Sequence, residues 1–370
     1  MITSHRLAAL ITAILVVAAG CSSTDTGSSA LSPSPVAAAS APSPPAATVT
    51  PTSIATAMPS PTPMAIKAGE PWIVYFTIID GKGLTYLMRP DGTDAHQIIV
   101  DTPGEVAHPD WSPDGKRLAV TVNSDIWVAL ADGSDAEMVQ GGGCCDNPAW
   151  SPDGTKLAFT NYSGESLGTR PFMSWVEVMD LATKERTTVI ETKRPLLVDV
   201  PRWSPDGKEL VVGVHQMDDE GFETGAAIAV VPATGGKLRY LTKFDAFAFY
   251  PDWSWAMNTI AFDNETIVDQ KAPGPTDDTS NLYVIQPDGT GLRQITDVAK
   301  GTRVIQPTWA PDGKSIVADF ADVWLGVRVD PTTGEVDQFA GCCVSHPRLR
   351  PTPRRATNCR SIGPSICGVG

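Results

Sequence analysis

Only five histidines stand among the 370 residues. None falls in an HExxH or HxxxH arrangement, and no two cysteines bracket a CxxC, so the compact zinc signatures are missing. Walker A and dinucleotide fingerprints are missing too, and no nucleophile elbow is expected. Positive charge is scarce: 28 Lys and Arg stand against 42 Asp and Glu, a net −14. The imbalance concentrates in residues 72–341, where 21 basic residues face 40 acidic ones, a net −19. Such a body repels nucleic acid and bare anionic lipid, which leaves a protein, a cation or a neutral ligand as partner. Residues 22–66 have no aromatic residue and one charge, Asp25. A stretch of Ala, Ser, Thr and Pro like this cannot bury enough apolar surface to fold. It reads as a tether, reaching about 140 Å in extended polyproline form.

The chain starts with a basic pair, His5 and Arg6, an apolar run over 7–19, and Gly20-Cys21. The run is too short to cross a bilayer as a helix and fits a signal segment. Ala19-Gly20-Cys21 resembles a bacterial lipobox. That resemblance implies a signal peptide over 1–20, lipid on Cys21, and a mature protein anchored outside the cytoplasm. The expected division is signal 1–20, lipidated cysteine and tether 21–71, a folded body 72–351, and a basic tail 352–370.

What the body does have is repetition. The units "HPDWSPDGKRLAVT", "NPAWSPDGTKLAFT", "VPRWSPDGKELVVG", "YPDWSWAMNTIAFD" and "QPTWAPDGKSIVAD" align on Trp111, Trp150, Trp203, Trp253 and Trp309. The spacings are 39, 53, 50 and 56 residues, the period of propeller blades. Each unit reads as a short strand ending at Trp, a Pro-Asp-Gly turn, an apolar strand, a third strand with a second turn, and a short fourth strand. Residues 72–101 hold strands two to four and lack the first. "SHPRLRPTP" at 345–353 looks like a worn copy of the first strand, with Leu349 in the Trp place. It is expected to complete the first unit and close the ring. The fold expected is all-β: a six-bladed β-propeller of four-stranded antiparallel blades closed by a C-terminal strand. Closure removes exposed sheet edges.

The five Trp-centred copies resemble the TolB-like β-propeller repeat over roughly residues 72–351. The resemblance implies the fold and leaves function to the site. Strand parity puts the Pro-Asp-Gly turns on one rim. The other rim receives the blade-to-blade loops and the longer second-to-third loops, expected at 161–174, 214–225 and 263–280. This second rim is the expected binding face. Its candidates are His108, Asn147, Tyr250, Gln306 and His346 at one repeat position, with Asp218, Asp219 and Glu220 from an acidic loop.

Two Cys-Cys pairs, Cys144-Cys145 and Cys342-Cys343, fall just before first strands on that same rim. In an oxidising compartment disulfides are expected, vicinal or loop to loop. The alternative is a zinc or copper(I) site combining these thiols with His108 and His346. No catalytic residue, cofactor or settled metal ligand is assigned from the sequence. The expected function is a lipid-anchored, monomeric module on the cell surface that binds an envelope or extracellular protein or a ligand. The alternative is a propeller enzyme of lyase, hydrolase or dehydrogenase type, with its site at the channel mouth and an extracellular carbohydrate or small substrate.

Overall fold

The repeat grammar becomes six four-stranded antiparallel sheets. The computed structural model describes residues 66–67, 69–99, 102–163, 173–219, 221–266, 278–321, 324–339 and 344–351. Cys21, Glu220, Cys342, Cys343 and the tail beyond 351 lie outside them. Blade one holds β1 (Ile73–Ile79), β2 (Lys82–Met88) and β3 (His96–Ile98). Blade two holds β4 (Val106–Trp111), β5 (Arg117–Val122), β6 (Asp125–Leu130) and β7 (Glu137–Gln140). Blade three follows with β8 (Cys145–Trp150), β9 (Lys156–Ser163), β10 (Met173–Asp180) and β11 (Arg186–Lys193). Blade four is β12 (Leu196–Trp203), β13 (Glu209–Met217), β14 (Glu223–Pro232) and β15 (Arg239–Tyr240). Blade five is β16 (Ala248–Trp253), β17 (Ile260–Thr266), β18 (Thr279–Ile285) and β19 (Arg293–Gln294). Blade six is β20 (Val304–Trp309), β21 (Ile316–Phe320), β22 (Leu325–Val329) and β23 (Val336–Gln338). The last strand, β24 (Ser345–Leu349), pairs antiparallel with β1, Leu349 opposite Ile73 and Arg348 opposite Val74. The ring closes as the worn copy predicted.

The recurring pentapeptide is structural. In "WSPDG" the Ser112 hydroxyl donates to Asp114 Oδ1 at 2.7 Å and accepts the N–H of Arg117 at 2.9 Å. Gly115 supplies the left-handed residue the turn needs, φ 65°. The same set recurs at Ser151 with Asp153 and Ser204 with Asp206. The tryptophans are buried between neighbouring blades. Trp111 Nε1 donates to the Arg348 carbonyl at 3.1 Å, and Trp203 Nε1 to the Ala149 carbonyl at 3.0 Å, so these two indoles are tied to the preceding blade. The altered copy "WSWAM" keeps this tie by other means. Trp253 turns its N–H to Asn258, and Trp255 donates to the Trp203 carbonyl at 3.1 Å.

The loop bounds differ from expectation. Residues 214–225 are not a long loop: β13 runs to Met217 and β14 starts at Glu223, with Asp218 accepting the Phe222 N–H at 2.6 Å across the turn. Strands also run into the other two segments, to Ser163 and from Met173, and to Thr266 and from Thr279. Ladder hydrogen bonds continue through polar residues because nothing there forbids pairing.

Candidate functional site

One irregularity repeats in every blade. Each innermost strand bulges once, two of its residues standing opposite one on the second strand. At the bulge sit His108, Asn147, Val200, Tyr250, Gln306 and His346, each followed by proline. All six have φ between 46° and 56°, a region non-glycine residues seldom enter. Proline suits the next position because the ladder there is already broken. The bulges set these side chains around the mouth of the central channel. Five of the six are the rim candidates read from sequence; Val200 completes the ring. Asp218 and Asp219 stand apart from it, in the turn between β13 and β14.

One step deeper lies the residue before each Trp, or before Leu349 in the Trp place: Asp110, Ala149, Arg202, Asp252, Thr308 and Arg348. Four of these form a buried ion network. Arg348 Nη1 lies 3.3 Å from Asp110 Oδ1 and 3.4 Å from Asp252 Oδ1, reaching past blade six to do so. Arg202 Nε is 3.7 Å from Asp252 Oδ1. The second carboxylate oxygens accept the N–H of the next blade's Trp, Trp150 at 2.8 Å and Trp309 at 2.7 Å. Burial pushes the Asp110 carboxyl up, against the pull of Arg348 and Arg202. Burial, reinforced by Arg348, pulls the Arg202 guanidinium down to about 10. Above this network a cavity of about 290 Å³, its open mouth included, is lined by Asn147, Val200, Arg202, Tyr250, Gln306 and Arg348. The room it leaves for a water-sized group is only about 20 Å³, space for about one water and far below the roughly 300–1,000 Å³ of small-molecule sites. It suits the tip of a side chain.

Carboxylates and imidazoles gather around the mouth. His108 Nδ1 meets Asp146 Oδ1 at 2.5 Å. Against the burial that would raise it, His108 holds the Asp146 carboxyl below the usual range. His215 lies between Asp199 at 2.9 Å and Glu223 at 2.5 Å, so both ring nitrogens donate and the ring is an imidazolium. Burial would lower its pKa, but the two carboxylates outweigh that and hold it well above the ordinary value. Burial pushes His346 well below that value, with His108 adding to the effect. The rings of Phe76, His346, His108, Tyr250, Phe249 and His215 form a continuous arc of contacts, with centres 4.6–6.5 Å apart.

Asp263 and Asp319, on the second strands of blades five and six, are buried. Asp263 accepts the Gln306 N–H at 3.0 Å, while Asp319 Oδ1 has no partner. Burial raises both carboxyls well above their ordinary value. The folded state therefore holds protons that the unfolded chain has lost, and stability falls as pH rises above about 4. Asp319→Asn and Asp263→Asn are expected to add about 1–3 kcal/mol at neutral pH, the cost of an ill-matched buried polar group. They should add almost nothing near pH 2, well below the ordinary carboxylate value, where both carboxyls are protonated in either state. Urea melts of each variant at the two pH values check the sign.

Cys144 and Cys145 form no metal-like cluster with the histidines, and Cys342 and Cys343 lie outside the described residues. Cys145 is buried among Ile126, Leu157 and Phe159 in the wall between blades two and three, its Sγ 3.2 Å from Asn161 Oδ1. Burial pushes its thiol far up. Cys144 and Cys145 are separate thiols with Sγ atoms 3.7 Å apart. Among the described residues no group of three or more His, Cys, Asp or Glu converges as a metal shell. The expectation that no nucleophile elbow exists needs one correction. Gly164-Glu165-Ser166-Leu167-Gly168 has the GxSxG spacing. It lies outside the described residues, between two strands of blade three, where an elbow requires a strand followed by a helix.

Sequence reading missed Asp146, Asp199, His215, Asp263, Asp319 and the Asp–Arg network. One signal was available: the residue before each Trp, and before Leu349 in the closing strand, reads Asp, Ala, Arg, Asp, Thr, Arg around the ring, and a buried inward position cannot carry unpaired charge.

No family model matches the chain. A stretch of 118 residues is 30% identical to the uncharacterized peptidase YuxL of Bacillus subtilis, covering 32% of this chain and 16% of that protein. The chain thus spans about a sixth of that relative's length. Among solved structures it resembles TolB from Acinetobacter baumannii, with a TM-score of 0.56 at 16% identity over 75% of this chain and 66% of that one. It also resembles the putative TolB from Agrobacterium tumefaciens, TM-score 0.54 at 20% identity over 76% and 98%. A chain of a nidogen/laminin complex aligns with a TM-score of 0.54 at 11% identity, over 76% and 98%. The fold is a TolB-like six-bladed β-propeller.

Proposed function

We propose that the protein is an extracytoplasmic binding module, anchored by lipid on Cys21 and held out on the 22–66 tether. Its channel mouth seats a side chain or chain end of an envelope or extracellular protein. The carrying observation is the pairing of a small polar cavity with an ion network across the channel beneath it. The cavity is too small for a polymer, and the ring around it is held by six strained bulges, a costly arrangement that favours pre-set contacts. A propeller of this fold in a nidogen/laminin complex supports the reading. A pull-down from envelope extracts tests it. Wild-type chain should retain one specific protein; Tyr250→Ala with Gln306→Ala should lose it; Asp288→Asn with Asp330→Asn, on the tight-turn rim, should not. Repeating the pull-down with reductant reports whether the cysteines matter. A protein retained equally by all three chains would refute the mouth as the site.

A second reading, an enzyme acting on an extracellular carbohydrate or small substrate, is favoured by one specific observation. Asp146, Asp199, Glu223, Asp263 and Asp319 gather with three histidines at the mouth; the Asp263 and Asp319 carboxyls are pushed up and Asp146 down, and His215 up and His346 down. Mass spectrometry of oligosaccharides incubated with the chain distinguishes the two readings.

A further inference from the structure

We infer that His108 and His346, on neighbouring blades, together hold one divalent transition-metal ion of the zinc class in a shell the protein leaves open. Gln306 Oε1 accepts the backbone N–H of His346 at 3.2 Å, which identifies that atom as the oxygen of the amide. The Ser345 hydroxyl donates to the same oxygen at 3.1 Å, so its one proton is committed. Its contact with His346 Nδ1 at 2.9 Å then requires Nδ1 to donate. On His108 the partner of Nδ1 is Asp146 Oδ1, an acceptor, so Nδ1 donates there as well. Asp146 is itself fixed, taking the Thr121 hydroxyl at 2.9 Å and the Asn147 N–H at 2.8 Å.

Both imidazoles thus carry a proton on Nδ1 and keep Nε2 for a ligand. Metal-binding histidines are oriented in this way, the far N–H given to a carboxylate or another oxygen. Nε2 of His346 is buried and has no hydrogen-bond partner. An acceptor in that state needs a donor or a cation.

The ring geometry fits one ion. The ring centres are 4.6 Å apart with planes at 75°. A metal–nitrogen bond of about 2.0–2.1 Å places a ring centre roughly 3.2 Å from the ion, so two imidazoles at roughly 90–110° have centres about 4.5–5.2 Å apart. The bulges produce this approach: both residues have φ near 50° at the same position of adjacent blades. The remaining coordination positions fall to water or to a donor atom arriving in the channel, as in open zinc sites. Imidazole ligands favour zinc, copper or nickel over magnesium or calcium.

The test uses the full chain stripped with chelator, titrated with Co²⁺ in visible absorption and with Zn²⁺ in calorimetry. One ion per chain is expected, and Zn²⁺ should raise the melting temperature of the wild-type chain. Affinity should fall about a hundredfold or more in His108→Ala and His346→Ala, and roughly ten- to a hundredfold in Asp146→Asn, which acts through His108. It should be unchanged in His96→Ala, a half-buried histidine on the outermost strand of blade one, and in Cys144→Ser with Cys145→Ser. If either alanine variant fails to fold, His108→Gln and His346→Gln replace it and should show the same loss. No bound ion, binding that survives both histidine substitutions, or binding that depends on the cysteines or His96 would each overturn the assignment.

Discussion

Deleting the chain from Ala340 onward is expected to lower the melting temperature by about 10 °C or more and to cause aggregation. Four losses add together. β1 loses its partner over Ile73–Phe76, exposing an apolar edge that invites pairing with other chains. The Arg348 guanidinium leaves Asp110 and Asp252, which costs about 3–5 kcal/mol when one partner of a buried pair is removed. Trp111 loses the carbonyl that accepts its indole N–H. Arg350 no longer gives its N–H to the Trp72 carbonyl at 2.7 Å or its Nε to the Gly115 carbonyl at 2.7 Å. For a body of this size each kcal/mol moves the midpoint by about 2–4 °C. Deleting from Thr352 onward spares all four contacts and should leave the midpoint close to that of the full chain. Calorimetry with size-exclusion chromatography reads both. A chain cut at Ala340 that melts with the full protein would mean that the ring does not depend on its closing strand.

The fold was legible because its determinants are local and repeated. Pro-Asp-Gly, which follows the Trp in four units, fixes a turn by backbone conformation, and a Trp marks the end of five inner strands; together they leave little room for another reading. Even β24 could be placed, since "SHPRL" keeps the His-Pro spacing after losing the Trp. The site was legible only in part. His108, Asn147, Tyr250, Gln306 and His346 share a position that the alignment exposes. Asp146 and Asp199 lie one residue earlier, and Asp263 and Asp319 lie on second strands; nothing local marks them as facing the channel. His215 finds its two carboxylates 8 and 16 residues away, through a hairpin and across a strand pair. Cys145 is next to Asp146, but successive residues of a strand face opposite ways. One enters the channel network and the other the wall between blades.

Arg348→Met should cost about 3–5 kcal/mol, and Arg202→Met clearly less. The two arginines occupy the same repeat position and are similarly buried, so the difference tests the network itself. Arg348 is the shared partner of both carboxylates, at 3.3 and 3.4 Å, while Arg202 approaches only Asp252, at 3.7 Å. Without Arg348, Asp110 keeps only the Trp150 N–H as a close partner. Its carboxyl, already raised by burial, rises further, so the folded state takes up a proton more readily than the unfolded chain. The deficit of Arg348→Met should therefore shrink as pH falls towards the ordinary carboxylate range. Adding Asp110→Asn should recover much of the loss at neutral pH, because the amide still accepts the Trp150 N–H and carries no charge. Removing Arg202 leaves Arg348 bridging both carboxylates and relieves the repulsion that helps pull the Arg202 guanidinium down to about 10. Guanidinium unfolding of the three variants at two pH values gives every term. If Arg202→Met costs as much as Arg348→Met, or Asp110→Asn fails to rescue, the carboxylates are held by something other than Arg348.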